Sequence, residues 1–262
     1  MEIIVVGSGS RGNSTYIKGR SATILIDAGF SFRQLKKRLS DSNVSDIKID
    51  GVIITHEHTD HVSNLCSVIN NIETVVYINE RSFLSLKPDI YHNVKNYNHT
   101  FINPFESIKI NDMEINFIPL SHDTVECLGI VIKEDGKKVV YVADTGYLDN
   151  EYKDILLGAD CYLFEANYDP GMEMASNRCQ MLKNRVLGDR GHLSNEDSAV
   201  NLSYLITDRT KTIVFIHRSQ ECNRLDILKE TVFRVFEDFS IDTSKINFIY
   251  AEQDYPSCII EV

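Results

Sequence analysis

The apolar runs of the chain predict an α/β fold in which two sheets pack face to face with helices outside. Two observations carry this. A series of strands followed by helices occurs twice, so each half of the chain can supply one sheet. Several strand runs are apolar throughout and end in a histidine or an aspartate, the pattern of buried strands that deliver polar groups at their ends. With 262 residues and 43% hydrophobic content, the chain is long enough to build a core, and one domain over residues 1–262 is expected.

Residues 2–6 read as a buried strand running into Gly7-Ser8-Gly9-Ser10-Arg11-Gly12-Asn13-Ser14. This glycine- and serine-rich stretch is either a plain turn or a loop whose backbone N–H groups approach an anion. It lacks the Lys-Ser/Thr of a phosphate-binding P-loop, and strand rather than helix follows it, which excludes a dinucleotide fingerprint. Residues 16–18 and 22–26 form an antiparallel pair, and the second strand ends in Asp27-Ala28-Gly29. An acid there is costly to bury unpaired, so Asp27 is expected to hold a neighbouring loop as a supporting partner. A helical pattern over 30–39 presents Arg33, Lys36, Lys37 and Arg38 on a basic outer face.

The apolar run 51–54 leads into Thr55-His56-Glu57-His58-Thr59-Asp60-His61. Three imidazoles and a carboxylate within six residues at a strand end suit divalent metals. His56 and His58 are spaced to grip one ion, and Asp60 with His61 a second beside it, once a turn at Thr59 brings His61 round. One loop cannot complete two coordination shells, so further ligands are expected from later strand ends. A helical pattern resumes at Val62 and continues through Ile69, followed by a strand over 74–78 and a short helix over 79–86. Residues 88–112 are polar and weakly patterned, and His92 and His99 there read as surface histidines.

The strand 114–120 runs into Ser121-His122-Asp123, which makes His122 a further ligand candidate. Residues 128–132 and 138–142 form a hairpin whose second strand delivers Asp144, placed either to bridge two cations or to cap a helix. Strand 160–166 carries Glu165 and Asn167 at its end. Segment 168–190, with Met172, Met174, Met181 and several basic residues, is expected to form a flap or helix beside the site. Gly191-His192-Leu193-Ser194-Asn195 precedes a helix capped by Ser194, which puts His192 near a helix N-terminus, a position suited to a phosphate or an oxyanion. Strand 211–216 ends at His217. A helix over 225–239 and strands over 246–250 and 257–262 complete the chain.

Composition bounds the setting. The N-terminus lacks the basic start and cleavage site of a signal peptide, and no apolar run reaches the roughly 18 residues of a membrane span, so a cytoplasmic protein without membrane contact is expected. Six scattered cysteines form no CxxC pair, which points to reduced core residues and leaves the metal chemistry to histidine and aspartate. The net charge of −11 argues against coating nucleic acid through bulk charge. It leaves room for a local basic groove, either on the cluster Arg33 to Arg38 or on Arg178, Lys183, Arg185 and Arg190.

Taken together, His56-Glu57-His58-Thr59-Asp60-His61, His122, Asp144 and His217, preceded by Asp27-Ala28-Gly29, resemble the ligand set of the metallo-β-lactamase superfamily. The resemblance covers essentially the whole chain and implies the metallo-β-lactamase fold, a four-layer αββα sandwich with a dinuclear site at one edge of the sheets. Residues 8–14, 191–195 and His217-Arg218-Ser219-Gln220-Glu221-Cys222-Asn223 resemble the WalJ/YycJ branch, associated with 5′-to-3′ exonuclease activity on DNA. The placement of His192 is similar to that of the extra histidine in phosphodiesterases of the tRNase Z type. Arg218 stands where leucine is more usual, and the additional domain of the β-CASP nucleases is missing.

Carried onto this chain, the resemblance implies that His56, His58 and His122 bind one metal, that Asp60, His61 and His217 bind another, and that Asp144 bridges them. Zinc, manganese or iron suits these donors. Asp60 and His192 are the implied catalytic residues, with His192 donating to the phosphate or the leaving oxygen after in-line attack by a metal-bound hydroxide. The implied substrate is nucleic acid, foremost DNA. RNA or a small diester, a thioester or lactone, and a non-hydrolytic redox, sensing or binding role are the rival readings. The oligomeric state stays open, a homodimer included.

Overall fold

A computed structural model describes residues 1–262. Its strands are β1 (Glu2–Gly7), β2 (Ser14–Lys18), β3 (Thr23–Ile26), β4 (Gly51–Ile53), β5 (Val75–Ile78), β6 (His99–Phe101), β7 (Ser107–Ile110), β8 (Met113–Leu120), β9 (Cys127–Glu134), β10 (Lys137–Val142), β11 (Cys161–Glu165), β12 (Thr212–Ile216), β13 (Asn247–Tyr250) and β14 (Ile260–Glu261). They form two seven-stranded sheets, ordered β14-β1-β2-β3-β4-β5-β6 and β13-β12-β11-β10-β9-β8-β7. Each sheet is antiparallel at the start of its half and parallel thereafter, from β3 onward in one and from β10 onward in the other.

The layers follow from strand alternation. Ile3, Val5, Ile24 and Ile26 face Ile115, Phe117, Ile130, Leu163 and Val214 across the space between the sheets. The alternate residues Ile4, Val6, Leu25 and Val52 pack outward on Leu35, Leu39, Leu65 and Val68, while Val140, Tyr162, Phe164 and Phe215 pack outward on Leu202, Leu228, Val232 and Phe236. Both faces of the central strands are therefore buried, which is why they read as unbroken apolar runs. Helix, sheet, sheet, helix is the αββα sandwich.

The sequence reading departs from the structure in a few places. Segment 88–112 is structured: it holds the helix Pro88–Lys95 and the edge strands β6 and β7. Its pattern is weak because edge strands expose most of their residues; β6 has no fully buried one. His92 is exposed, whereas His99 is half-buried and stacked on Phe83 at 5.0 Å. The last strand is only two residues long and returns to the first sheet, pairing Ile260 with Ile3. Arg38 is no part of an outer basic face, since its Nη1 donates to the carbonyls of Val6 and Gln253 and its guanidinium lies over the Phe30 ring.

Candidate metal centre

Strands β3 and β4 run parallel, and β8, β10, β11 and β12 share one direction, so the chain leaves all six at one edge of the sandwich. The carboxyl ends of strands are where open α/β sheets present their ligands. Three of these ends close with a residue in the left-handed region: Asp27 (φ 61°), Asp144 (φ 59°) and His217 (φ 53°). That conformation is sparsely populated for residues with a Cβ, and aspartate is among the few types that enter it readily. It breaks the strand in one residue and puts the side chain over the sheet edge.

Seven predicted side chains meet there, with His192 beside them. The nitrogens of His56, His58 and His122 lie within 4.8 Å of one another, as do the donor atoms of Asp60, His61 and His217, and those of His56, His61 and Asp144. Asp144 stands between the first two groups, with Oδ2 3.2 Å from His61 Nε2 and Oδ1 3.7 Å from His122 Nε2. It caps no helix.

The outward ring nitrogens are already committed. His61 Nδ1 lies 2.8 Å from Asp27 Oδ2, His122 Nδ1 2.9 Å from the carbonyl of Gly191, and His56 Nδ1 3.0 Å from Thr55 Oγ1. Because Asp27 and Gly191 accept, His61 and His122 each carry a proton on Nδ1 and turn Nε2 inward toward the cluster. His56 Nε2, His217 Nε2 and Asp144 Oδ2 are buried without any hydrogen-bond partner. Buried polar atoms are rarely left unmatched, and a cluster of convergent unmatched donors of this type fits a metal ion. His56, His58, His122, Asp60, His61, His217 and Asp144 are thus able to hold divalent cations.

The electrostatics agree. Burial drives His56 well below the ordinary imidazole range and His122 down to about 4, so both stay neutral and able to ligate. Burial also pulls on His61 and His217, but surrounding carboxylates outweigh it: Asp60, Asp27 and Asp144 raise His61 well above its usual value, and Asp144, Asp60 and Glu165 push His217 up to about 10. Asp144 is held far below the carboxylate range because His217 and His61 overcome the cost of its burial. Protons on these rings occupy the role that cations would take, and metal uptake would displace them.

Two residues that sequence reasoning gave no role complete the arrangement. Glu165, fully buried at the end of β11, faces His192 Nδ1 at 2.7 Å and His217 Nδ1 at 3.0 Å and accepts from the Thr145 N–H at 3.0 Å. The same sign that marks Asp27 and Asp144, an acid closing an apolar strand, marks it too. Asn13 bonds to Asp60 Oδ2 and to His61 Nε2, both at 3.0 Å. Nothing in its glycine-serine surroundings announces this.

The glycine-serine loop itself is no anion cradle. Its N–H groups at Ser8, Gly9, Arg11, Gly12 and Asn13 donate to Glu252 O, Asn13 Oδ1, Gln253 Oε1, Gly9 O and Asp60 O respectively. It buttresses the histidine loop. Gly29 has no side chain because none fits, since a Cβ would lie 2.1 Å from the Asp60 carbonyl. Segment 168–190 forms the helices Pro170–Ala175 and Gln180–Leu187. Of its basic cluster, Arg178 pairs with Glu173 and Glu221 and Lys183 donates to a backbone carbonyl, whereas Arg185 and Arg190 reach the site rim. Arg185 pairs with Asp123, which lies 3.4 Å from His122 Nε2, and Arg190 donates to the carbonyls of His122 and Thr124.

An αββα sandwich with a histidine-aspartate cluster at its edge defines a metallo-β-lactamase-fold hydrolase. Residues 22–217 match the Beta-lactamase superfamily domain, and the chain belongs to that family of metal-dependent hydrolases. Among its relatives, exodeoxyribonuclease YycJ of Bacillus anthracis is 30% identical over 89% of this chain and 88% of its own length. Exodeoxyribonuclease WalJ of Streptococcus pneumoniae is 31% identical over 87% of this chain and 85% of its own. Zinc-bound PqqB from Methylobacterium extorquens shares the fold, with a TM-score of 0.72 over all of both chains at 14% identity.

Proposed function

We propose that the chain is a dinuclear metal-dependent phosphodiesterase that degrades DNA from the 5′ end, a 5′-to-3′ exonuclease working in the cytoplasm. The observation that carries this reading is the convergence of seven donors with a His192–Glu165 pair at the same edge. The similarity to exodeoxyribonucleases over most of both chains supports DNA as the substrate. Six unpaired cysteines suit a reducing compartment.

His56, His58 and His122 would hold one cation, Asp60, His61 and His217 the other, and Asp144 both. Zinc, manganese or iron in these positions would supply Lewis acidity and lower the pKa of bound water toward neutrality. Asp27, Gly191 and Thr55 fix the rings of His61, His122 and His56 so that Nε2 of each faces the cluster. Asp60 is anchored by Asn13 beside His217, which keeps its carboxylate at the reacting edge. Glu165 accepts from His192 Nδ1 and fixes the orientation of that ring, and His192 is the group that would donate a proton to the departing oxygen. Arg190 adds positive charge at the rim, where an anionic diester would approach, whereas the charge of Arg185 is matched by Asp123.

The test incubates the purified protein with end-labelled DNA and RNA, with zinc and manganese supplied in turn. Processive shortening of DNA from its 5′ end is expected, with activity lost in His58→Ala and Asp144→Ala while the fold persists. Full activity of both variants in metal-depleted buffer would overturn the mechanism, and faster cleavage of RNA would reassign the substrate. His192→Ala is expected to slow turnover with metal content near that of the unaltered chain. Loss of a metal from it would make His192 a ligand.

A further inference from the structure

A concavity is built on the loops that carry two of the ligand candidates. It is a cavity of about 200 Å³ lined by Pro119, Leu120, Ser121, Tyr147, Asp149 and Tyr152. Its walls are the two loops that carry His122 and Asp144: Ser121 directly precedes one ligand candidate, and Tyr147 follows the other by three residues. The loops are tied together. Thr145 Oγ1 accepts from the Ser121 N–H at 3.2 Å and donates to the Tyr147 carbonyl at 2.6 Å, and the Gly146 N–H donates to the Ser121 carbonyl at 2.8 Å.

Tyr147 is 47% exposed although its neighbours are fixed, with Thr145 fully buried and Leu148 packed into the helix-side core. An aromatic ring held in solvent by a pinned backbone is a ready-made contact surface, since the backbone share of its ordering entropy is already met. Tyr152 supplies a second ring, and Phe105, 65% exposed, continues the row with its centroid 5.8 Å from that of Tyr152. The polar lining selects the occupant. Asp149 lines the cavity, so a phosphate is repelled there, whereas the flat uncharged face of a base is not.

We propose that this cavity is a base-stacking subsite, in which Tyr147 and Tyr152 receive the nucleobase adjoining the scissile phosphate of a single-stranded DNA end. The subsite rests on the phosphodiesterase reading above and deepens it. Bases inside a duplex present no free face, so the subsite commits the enzyme to unpaired ends; every base has a π-face, so it confers little sequence preference.

The experiment pairs Tyr147→Ala and Tyr152→Ala with oligonucleotides, labelled at the 3′ end, that are intact or carry an abasic residue at one of the first two 5′ positions. Stacking on one aromatic side chain is worth about 1–3 kcal/mol, so kcat/KM on intact single strands is expected to fall about 5- to 150-fold in Tyr147→Ala. Wild-type protein should lose a comparable factor on one of the abasic strands, and the alanine variant should lose almost nothing more on that strand. Tyr147→Phe should keep full activity, and metal content should be unchanged throughout. Equal losses on intact and abasic strands, or no loss on either, would overturn the subsite. If wild-type protein cleaves no DNA, the proposed activity fails separately, and fluorescence anisotropy with the same strands then decides the subsite. Binding weakened by Tyr147→Ala only where the base is present would support it, and binding unaffected by base or ring would overturn it.

Discussion

Replacing Asp27 by asparagine keeps the side-chain shape and suits the left-handed backbone at this position, which asparagine tolerates. What changes is one acceptor. In the native chain Oδ1 accepts from the Thr55 N–H at 2.9 Å while Oδ2 faces His61 Nδ1 at 2.8 Å, and Thr55 Oγ1 lies 3.0 Å from each oxygen. An amide carries NH₂ on one side. With NH₂ toward His61, the ring must accept at Nδ1, and its proton moves to Nε2, the nitrogen that faces Asp60 and Asp144. Loss of such a supporting partner costs 10- to 100-fold in metal affinity, or about 1.4–2.7 kcal/mol. With NH₂ toward Thr55, donor meets donor at a fully buried site and folding stability falls by about 1–3 kcal/mol. Either way the variant is impaired, and the two cases separate experimentally. Competition against a chromophoric chelator reads zinc and manganese affinity, and urea denaturation in excess chelator reads the apo fold. Wild-type values in both measurements would refute the assignment of Asp27 as the residue that orients His61.

Two further expectations concern the scaffold. Gly29→Ala places a methyl group against the Asp60 carbonyl and the Asn13 N–H, which are bonded to each other at 2.8 Å and cannot both retreat. Overpacking of this kind costs roughly 1–3 kcal/mol, and at about 2–4 °C per kcal/mol for a chain of this size the melting temperature in chelator should fall by roughly 2–12 °C; an unchanged melt would show that the loop yields. Asp160 accepts from the Lys138 N–H at 2.8 Å and from Arg209 Nε at 2.9 Å; partial burial pushes its carboxyl up, but these donors hold it below its ordinary value. A depressed folded value stabilises above the unfolded pKa near about 3.9 and ceases to do so as pH falls through the lower folded one. Asp160→Asn should therefore be less stable than wild type at neutral pH, with the gap closing on acidification, and a gap constant down to about pH 2 would refute the linkage.

How much of this was legible in the sequence depends on burial. Strands such as β12 (Thr212–Ile216) are buried on both faces and cannot be mistaken, and the polar residue that closes each one is conspicuous against that run. That contrast picks out Asp27, His122, Asp144 and His217 from the sequence alone. Glu165 carried the same mark, yet the sequence alone does not say that its carboxylate reaches two histidines, one of them 52 residues away. Asn13 was illegible because its role depends on the fold bringing it 47 residues along the chain to Asp60, with no apolar run to frame it. The edge strands β6 and β7 were missed because their residues are mostly solvent-facing, which leaves propensity without a burial pattern.

The two halves of the chain also explain why the cluster is asymmetric in its supports. The first half brings His56, His58, Asp60 and His61 on one continuous loop, so a single carboxylate, Asp27, braces His61 directly and His56 through Thr55, and the buttress at Asn13 holds Asp60. The second half brings His122, Asp144 and His217 from three separate strands, and each end has to be braced on its own. Gly191 O takes His122, Thr145 N and two histidines converge on Glu165, and Asn167 Nδ2 donates to the His217 carbonyl at 2.7 Å. Long-range bracing of this sort places more residues in the buried polar network of the second sheet. Positional error there is corrected by hydrogen bonds rather than by chain connectivity, so that network, with Glu165 at its centre, is where a conservative change is expected to reach the metal centre while leaving the hydrophobic layers intact.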